Sequence, residues 1–131
     1  MREQDANPKP TDAELGILRV LWRRGPSTVR QVYDELHRER PVVYTTVLKF
    51  LQIMTEKGLV TREDAARAHV YQARASEENA QNRLVGDLMD RVFGGSAQKL
   101  ILRALTTRKA SPEELAQIRR HLDELEEDGA R

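Results

Sequence analysis

The chain has 131 residues, with 22 Lys/Arg against 21 Asp/Glu, 33% charged and only 5% aromatic residues. That length allows one domain or a small domain with an appendage, and so few aromatics argue against a single large core. The absence of cysteine excludes disulfides and thiolate metal sites and fits a reducing cytoplasm, while the lack of a long apolar run predicts neither signal peptide nor membrane span.

Leu, Ala, Glu and Arg dominate, so the fold class is mostly α. Residues 1–10 are polar with two prolines and read as a flexible arm. Thr11-x-x-Glu14 is a capping box that starts a first helix, with Leu15, Leu18, Leu21 and Trp22 as its apolar stripe. Gly25-Pro26 ends it. Ser27 or Thr28 caps a second helix, where Val29, Val32, Tyr33 and Leu36 recur at amphipathic spacing up to a charged end before Pro41.

The next stretch, RPVVYTTVLKFLQIMTEKG, organises the chain. At 100° per residue, Val47, Phe50, Leu51 and Met54 fall on one side of a helix over 44–57. Thr45, Lys49, Gln52 and Glu56 fall on the other. The start of that second face is polar but nearly uncharged, unlike the densely charged solvated faces elsewhere in the sequence. Short donors and acceptors on the first turns of a helix suit reading base edges in a major groove.

Gly58 closes this helix and the pattern changes to strand. Leu59–Arg62 and His69–Gln72 are two β-prone runs around a charged tip, Glu63–Ala68. Three helices and a wing of two or three strands make a winged helix-turn-helix over residues 11–75. Arg62, Arg67 and His69 on the wing are placed to meet phosphates. Residues 1–75 carry 13 Lys/Arg against 10 Asp/Glu, whereas residues 76–131 carry 9 against 11. The sign of the first half is that of a nucleic-acid-facing surface.

From Ser76 the chain reads as a three-helix region over 76–128. Val85, Leu88, Met89 and Val92 stripe its first helix, which Gly94-Gly95 breaks. Leu100 and Ile101 belong to a short second helix. Ser111-Pro112-Glu113-Glu114 starts the last, whose Leu115, Ile118, Leu122 and Leu125 make a heptad seam. Three helices of this size, each apolar on one side, are too small a core to stand alone, so an interleaved homodimer is expected.

No catalytic constellation is visible. His37, His69 and His121 sit on different elements without metal-ligand spacing, and no serine stands in a nucleophile elbow. Neither an enzyme activity nor a metal or other cofactor is expected, and so small a chain offers little volume for a ligand pocket.

With these elements in place, the sequence resembles the BlaI/MecI penicillinase-repressor family. PTDAELGILRVLW, VVYTTVLKFLQIMTEKGLV, HVYQA and LMDRVFGGSAQKLILRAL carry the resemblance across roughly residues 10–125. It implies a dimeric winged-helix repressor that binds palindromic double-stranded operator DNA ahead of β-lactamase and related antibiotic-resistance genes. It also implies that Thr45, Thr46 and Lys49 begin the recognition helix, that Tyr44 lies beside them, and that Arg40 approaches the backbone. The family's copper-responsive branch uses a cysteine-rich tail that this sequence lacks. In the antibiotic-responsive repressors, a sensor protease system leads to cleavage of an Asn-Phe bond; Arg103-Ala104 stands at the matching positions. A rival function from the same fold is a winged-helix module that binds protein through Tyr44 and the polar helix face, without DNA.

Overall fold

A computed structural model describes residues 9–64 and 67–130. The arm expected over residues 1–10 lies outside them apart from Lys9 and Pro10, as does part of the hairpin tip. The residues up to Val85 form one compact unit and those from Gly86 a second.

Helix α1 (Asp12–Arg24) begins with both halves of its capping box formed. Thr11 Oγ1 accepts from the Glu14 amide at 3.2 Å, and Glu14 Oε1 accepts from the Thr11 amide at 2.9 Å. Gly25, at φ 93°, ends the helix. Helix α2 (Val29–Glu39) has a second reciprocal box, Thr28 with Gln31. Thr28 is therefore the cap, and Ser27 has another role. Ser27 is buried, and its backbone pairs with Tyr71 in both directions, at 2.9 and 2.7 Å. This bridge adds a third position beside a two-stranded sheet.

Helix α3 (Tyr44–Lys57) ends at Gly58 in the left-handed region, φ 85° and ψ 15°. The Leu59 amide reaches back to the Met54 carbonyl at 2.9 Å, completing the cap. Strand β1 (Val60–Glu63) and β2 (Val70–Ala73) then pair antiparallel, Val60 opposite Ala73 and Glu63 opposite Val70. Both strands start one residue later than the sequence pattern suggests. The amide of Leu59 is committed to the helix end, while its carbonyl accepts from the Arg74 amide at 3.0 Å just beyond the Val60–Ala73 pair.

These elements enclose one core of Ile17, Leu18, Val20, Leu21, Val29, Val32, Val47, Leu51, Met54, Val60 and Tyr71. Ile17 and Val20, outside the stripe expected for α1, are buried, whereas Leu15 and Trp22 are only half-buried. Phe50 is likewise half-buried. The Trp22 indole N–H donates to the Ala75 carbonyl at 2.9 Å, tying the chain that leaves β2 back to α1.

Helices α4 (Glu77–Val92), α5 (Ala97–Thr107) and α6 (Pro112–Ala130) complete the described chain. Ser76, Ser96 and Ser111 each accept from a backbone amide three residues on, at 3.1, 3.1 and 3.0 Å. Gly94 and Gly95, both at positive φ, make the break between α4 and α5. None of the three helices contains a fully buried residue. Among the described residues, no helix is long and apolar enough to cross a membrane.

Glu14 is 2% exposed and receives Lys57 Nζ at 2.7 Å, joining the start of α1 to the end of α3. Burial pushes the Glu14 carboxyl up, but the hydrogen bond from Lys57, those from Thr11 and the lysine charge outweigh it and hold the carboxyl below the ordinary glutamate range. A depressed carboxyl contributes stability that is present above its unfolded value and lost as pH falls through its folded one. Urea denaturation across the acid range should therefore show a shallower loss of stability in Glu14→Gln than in the parent. Lys57→Ala, which leaves the carboxylate buried without its cation, should cost about 1–3 kcal/mol at neutral pH.

Candidate nucleic-acid interface

The core claims Val47, Leu51 and Met54 of α3, and this decides what its opposite face offers. Tyr44, Thr45, Thr46, Lys49, Gln52 and Glu56 are exposed. Thr45, Thr46 and Lys49 line a shallow open depression with Phe50 and Ile53. Two hydroxyls and an ammonium thus share one surface with apolar patches between them. That mixture matches base edges, which offer acceptors, donors and thymine methyls. No side chain caps the first amides of α3, and Val43 and Tyr44 at this end are exposed, so its positive dipole end lies at the surface.

A group not anticipated from the sequence braces this helix start. Arg30, on the first turn of α2, places its guanidinium carbon 5.7 Å from the Tyr33 ring centre and 5.4 Å from that of Tyr44. The two tyrosines meet edge to face at 5.6 Å, and Tyr33 stacks on His37 at 5.2 Å. Cation–π and aromatic contacts therefore join α2 to the residue that opens α3. Arg30, Tyr33 and His37 recur at i, i+3 and i+7, a spacing that could have exposed the shared face. Arg40 caps the C-terminus of α2 in extended conformation and is exposed in the turn leading to α3.

Arg62 Nε and His69 Nδ1 both contact Asp64 Oδ1, at 3.0 and 2.8 Å. The two sides of the hairpin thus share one carboxylate, which partly offsets the charge of Arg62. The other guanidinium donors of Arg62 remain outside that contact. Arg67 is exposed in the turn.

The apolar positions of the helical region are open in the single chain. Val85, Leu88, Val92, Ile101 and Leu122 are exposed, Val92 to 63% and Leu122 to 51%. Met89, Leu100, Leu115 and Ile118 are half-buried. Leu102 and Leu125 are exposed as well. Arg103 and Ala104 lie on α5, both exposed.

The profile of the penicillinase repressor family matches residues 10–124. The chain belongs to that family. Among curated relatives it is 33% identical to the transcriptional regulator BlaI of Mycobacterium tuberculosis, over 88% of this chain and 83% of that protein. It is 23% identical to the penicillinase repressor of Bacillus licheniformis, over 89% of this chain and 91% of that one. The solution structure of the DNA-binding domain of the repressor BlaI superposes with a TM-score of 0.50 at 25% identity, covering 55% of this chain and 88% of that one. A MarR family protein from Bacillus stearothermophilus shares the fold, at a TM-score of 0.50 and 19% identity over 99% of this chain and 82% of that one.

Because Thr46 and Lys49 stand off the core, alanine at either should change unfolding free energy by no more than about 0.5 kcal/mol. Leu51→Ala, on the opposite face, should cost about 2–5 kcal/mol. Urea denaturation of the three variants checks this division of the helix.

Proposed function

We propose that the chain is a homodimeric, sequence-specific transcriptional repressor that binds a palindromic operator in double-stranded DNA. Residues 11–75 form its DNA-binding domain and residues 76–128 its dimerisation domain. The observation that carries the reading is the exposed polar start of α3 on a helix whose other face is locked in the core. Membership of the family and likeness to a repressor's DNA-binding domain support it. Thr45, Thr46 and Lys49 read base edges, Tyr44 lies beside them, and Arg40, Arg62 and Arg67 meet phosphates. β-Lactamase and related genes are the candidate targets.

Thr46→Ala or Lys49→Ala should weaken binding to the operator by about 1–3 kcal/mol for a direct base contact. Arg67→Ala should instead weaken operator and random duplex alike, and flatten the salt slope by about one unit. Fluorescence anisotropy against salt concentration measures both. Salt-insensitive binding to a protein partner with no duplex binding would favour the interaction-module reading, because phosphate neutralisation releases counterions.

The dimer rests on apolar side chains left open along α4, α5 and α6. A second copy removes them from water. Leu122→Asp puts a charge in that desolvated seam and should yield a monomer with half-site affinity, measured by sedimentation. Sedimentation of the unmodified chain as a monomer at micromolar concentration would overturn the assignment.

Derepression by the family's sensor protease system requires a bond like Asn-Phe, and this chain offers Arg103-Ala104 within α5. Helical backbone is protected until it opens locally. The chain should resist such a protease, and mass spectrometry showing a cut between Arg103 and Ala104 would contradict this.

A further inference from the structure

The first compact unit holds a cleft that DNA reading does not use. It lies among α1, the junction of α3 with β1, the chain after β2 and the first turns of α4, all before Gly86. Its volume is about 430 Å³, within the range of roughly 300–1,000 Å³ found for small-molecule sites. So small a chain was not expected to build such a volume; it does so by borrowing walls from residues as distant as Leu18 and Leu84.

Leu18, Trp22, Leu59 and Leu84 supply an apolar lining. The bond from the Trp22 indole to the Ala75 carbonyl fixes the ring, so the aromatic surface is presented in one orientation. Arg74 and Arg83 add two guanidinium groups beside the ammonium of Lys9, and no acidic side chain among the described residues lines the cleft. Arg74 Nη1 reaches the helix end at Gly58, 3.4 Å from where a Cβ of that residue would stand. Neither arginine has a carboxylate partner in an ion pair among the described residues.

Apolar surface beside guanidinium groups, with no carboxylate to neutralise them, suits an amphipathic anion. The apolar body would leave water against Trp22 and the leucines, and its acid group would accept charge-assisted hydrogen bonds from the arginine forks. We propose that this cleft binds a small organic acid carrying an aromatic or branched aliphatic body. The inference is independent of the DNA-binding reading, because the cleft shares no residue with the exposed face of α3 or with strands β1 and β2.

Trp22 is the sole tryptophan, so its emission reports on the cleft directly. The full chain is titrated with phenylpropanoate, and in parallel with neutral phenylpropanamide. The acid should change Trp22 emission saturably, and the amide should bind about tenfold more weakly, the worth of a charged hydrogen bond. Replacing the two guanidinium groups of the three cations that line the cleft, Arg74→Ala with Arg83→Ala and Lys9 kept, should weaken the acid by about the same factor and leave the amide unaltered. Both side chains are exposed, and circular dichroism confirms that the variant is folded. The comparison of acid with amide on the unmodified chain needs no variant. Absence of a saturable change with the acid, equal affinity for acid and amide, or unchanged acid binding by the folded double variant would each overturn the proposal.

Discussion

The insertion of Val47, Leu51 and Met54 into the core is the constraint on which the N-terminal unit depends. Leu51 and Met54 are fully enclosed, in one core with Val32 of α2 and Ile17 of α1. Once those side chains are seated, the helix cannot turn about its axis without exposing them to water. Its rotation, and therefore the direction of Thr45, Thr46 and Lys49, is set. Gly58 then releases the backbone through a left-handed residue, and the hairpin folds back so that Val60 and Tyr71 cover the same core. The bridge between Tyr71 and Ser27 anchors that hairpin to the turn before α2.

Charge is distributed with a similar economy. Glu35 gathers Arg23, Arg24 and Arg38 at 3.3, 4.0 and 3.6 Å. Exposed pairs of this kind add little to stability, but they determine which arginines are already neutralised. Among the described residues Arg40, Lys49 and Arg67 have no such partner, whereas Arg62, the other cation of the proposed interface, is held by Asp64. The unevenness of the basic residues matters more than a net charge of +1.

Much of this was legible in the sequence where the signal is local. Thr11 with Glu14, Gly58, Gly94-Gly95 and Ser111-Pro112 each mark a helix end through the chemistry of its first or last turn. The polar face of α3 was legible for the same reason, since helical periodicity alone separates Thr45 and Lys49 from Leu51. What was missed is long-range. Nothing near Ser27 announces that its backbone pairs with Tyr71, and nothing near Glu14 points to Lys57. The strands of the wing begin at Val60 and Val70, one residue beyond their apolar runs, and nothing in those runs shows that the Leu59 amide is claimed by a helix cap. Arg30 was overlooked because a lone arginine on a helix reads as solvated until two tyrosines are seen beside it. The stripes of α4 to α6 gave the apolar residues but not their state in a single chain, where Leu122 and Val92 lie open.

The central claim, that the outward face of α3 meets DNA, is tested most directly by where a bound duplex touches the protein. The isotope-labelled chain is titrated with a duplex that it has itself enriched from a random-sequence pool, and amide chemical shifts are followed by NMR. The largest perturbations should fall on residues 44–52 and on the wing, with α6 unmoved. Perturbations concentrated on α4 to α6, with Thr45, Thr46 and Lys49 unchanged, would contradict the account.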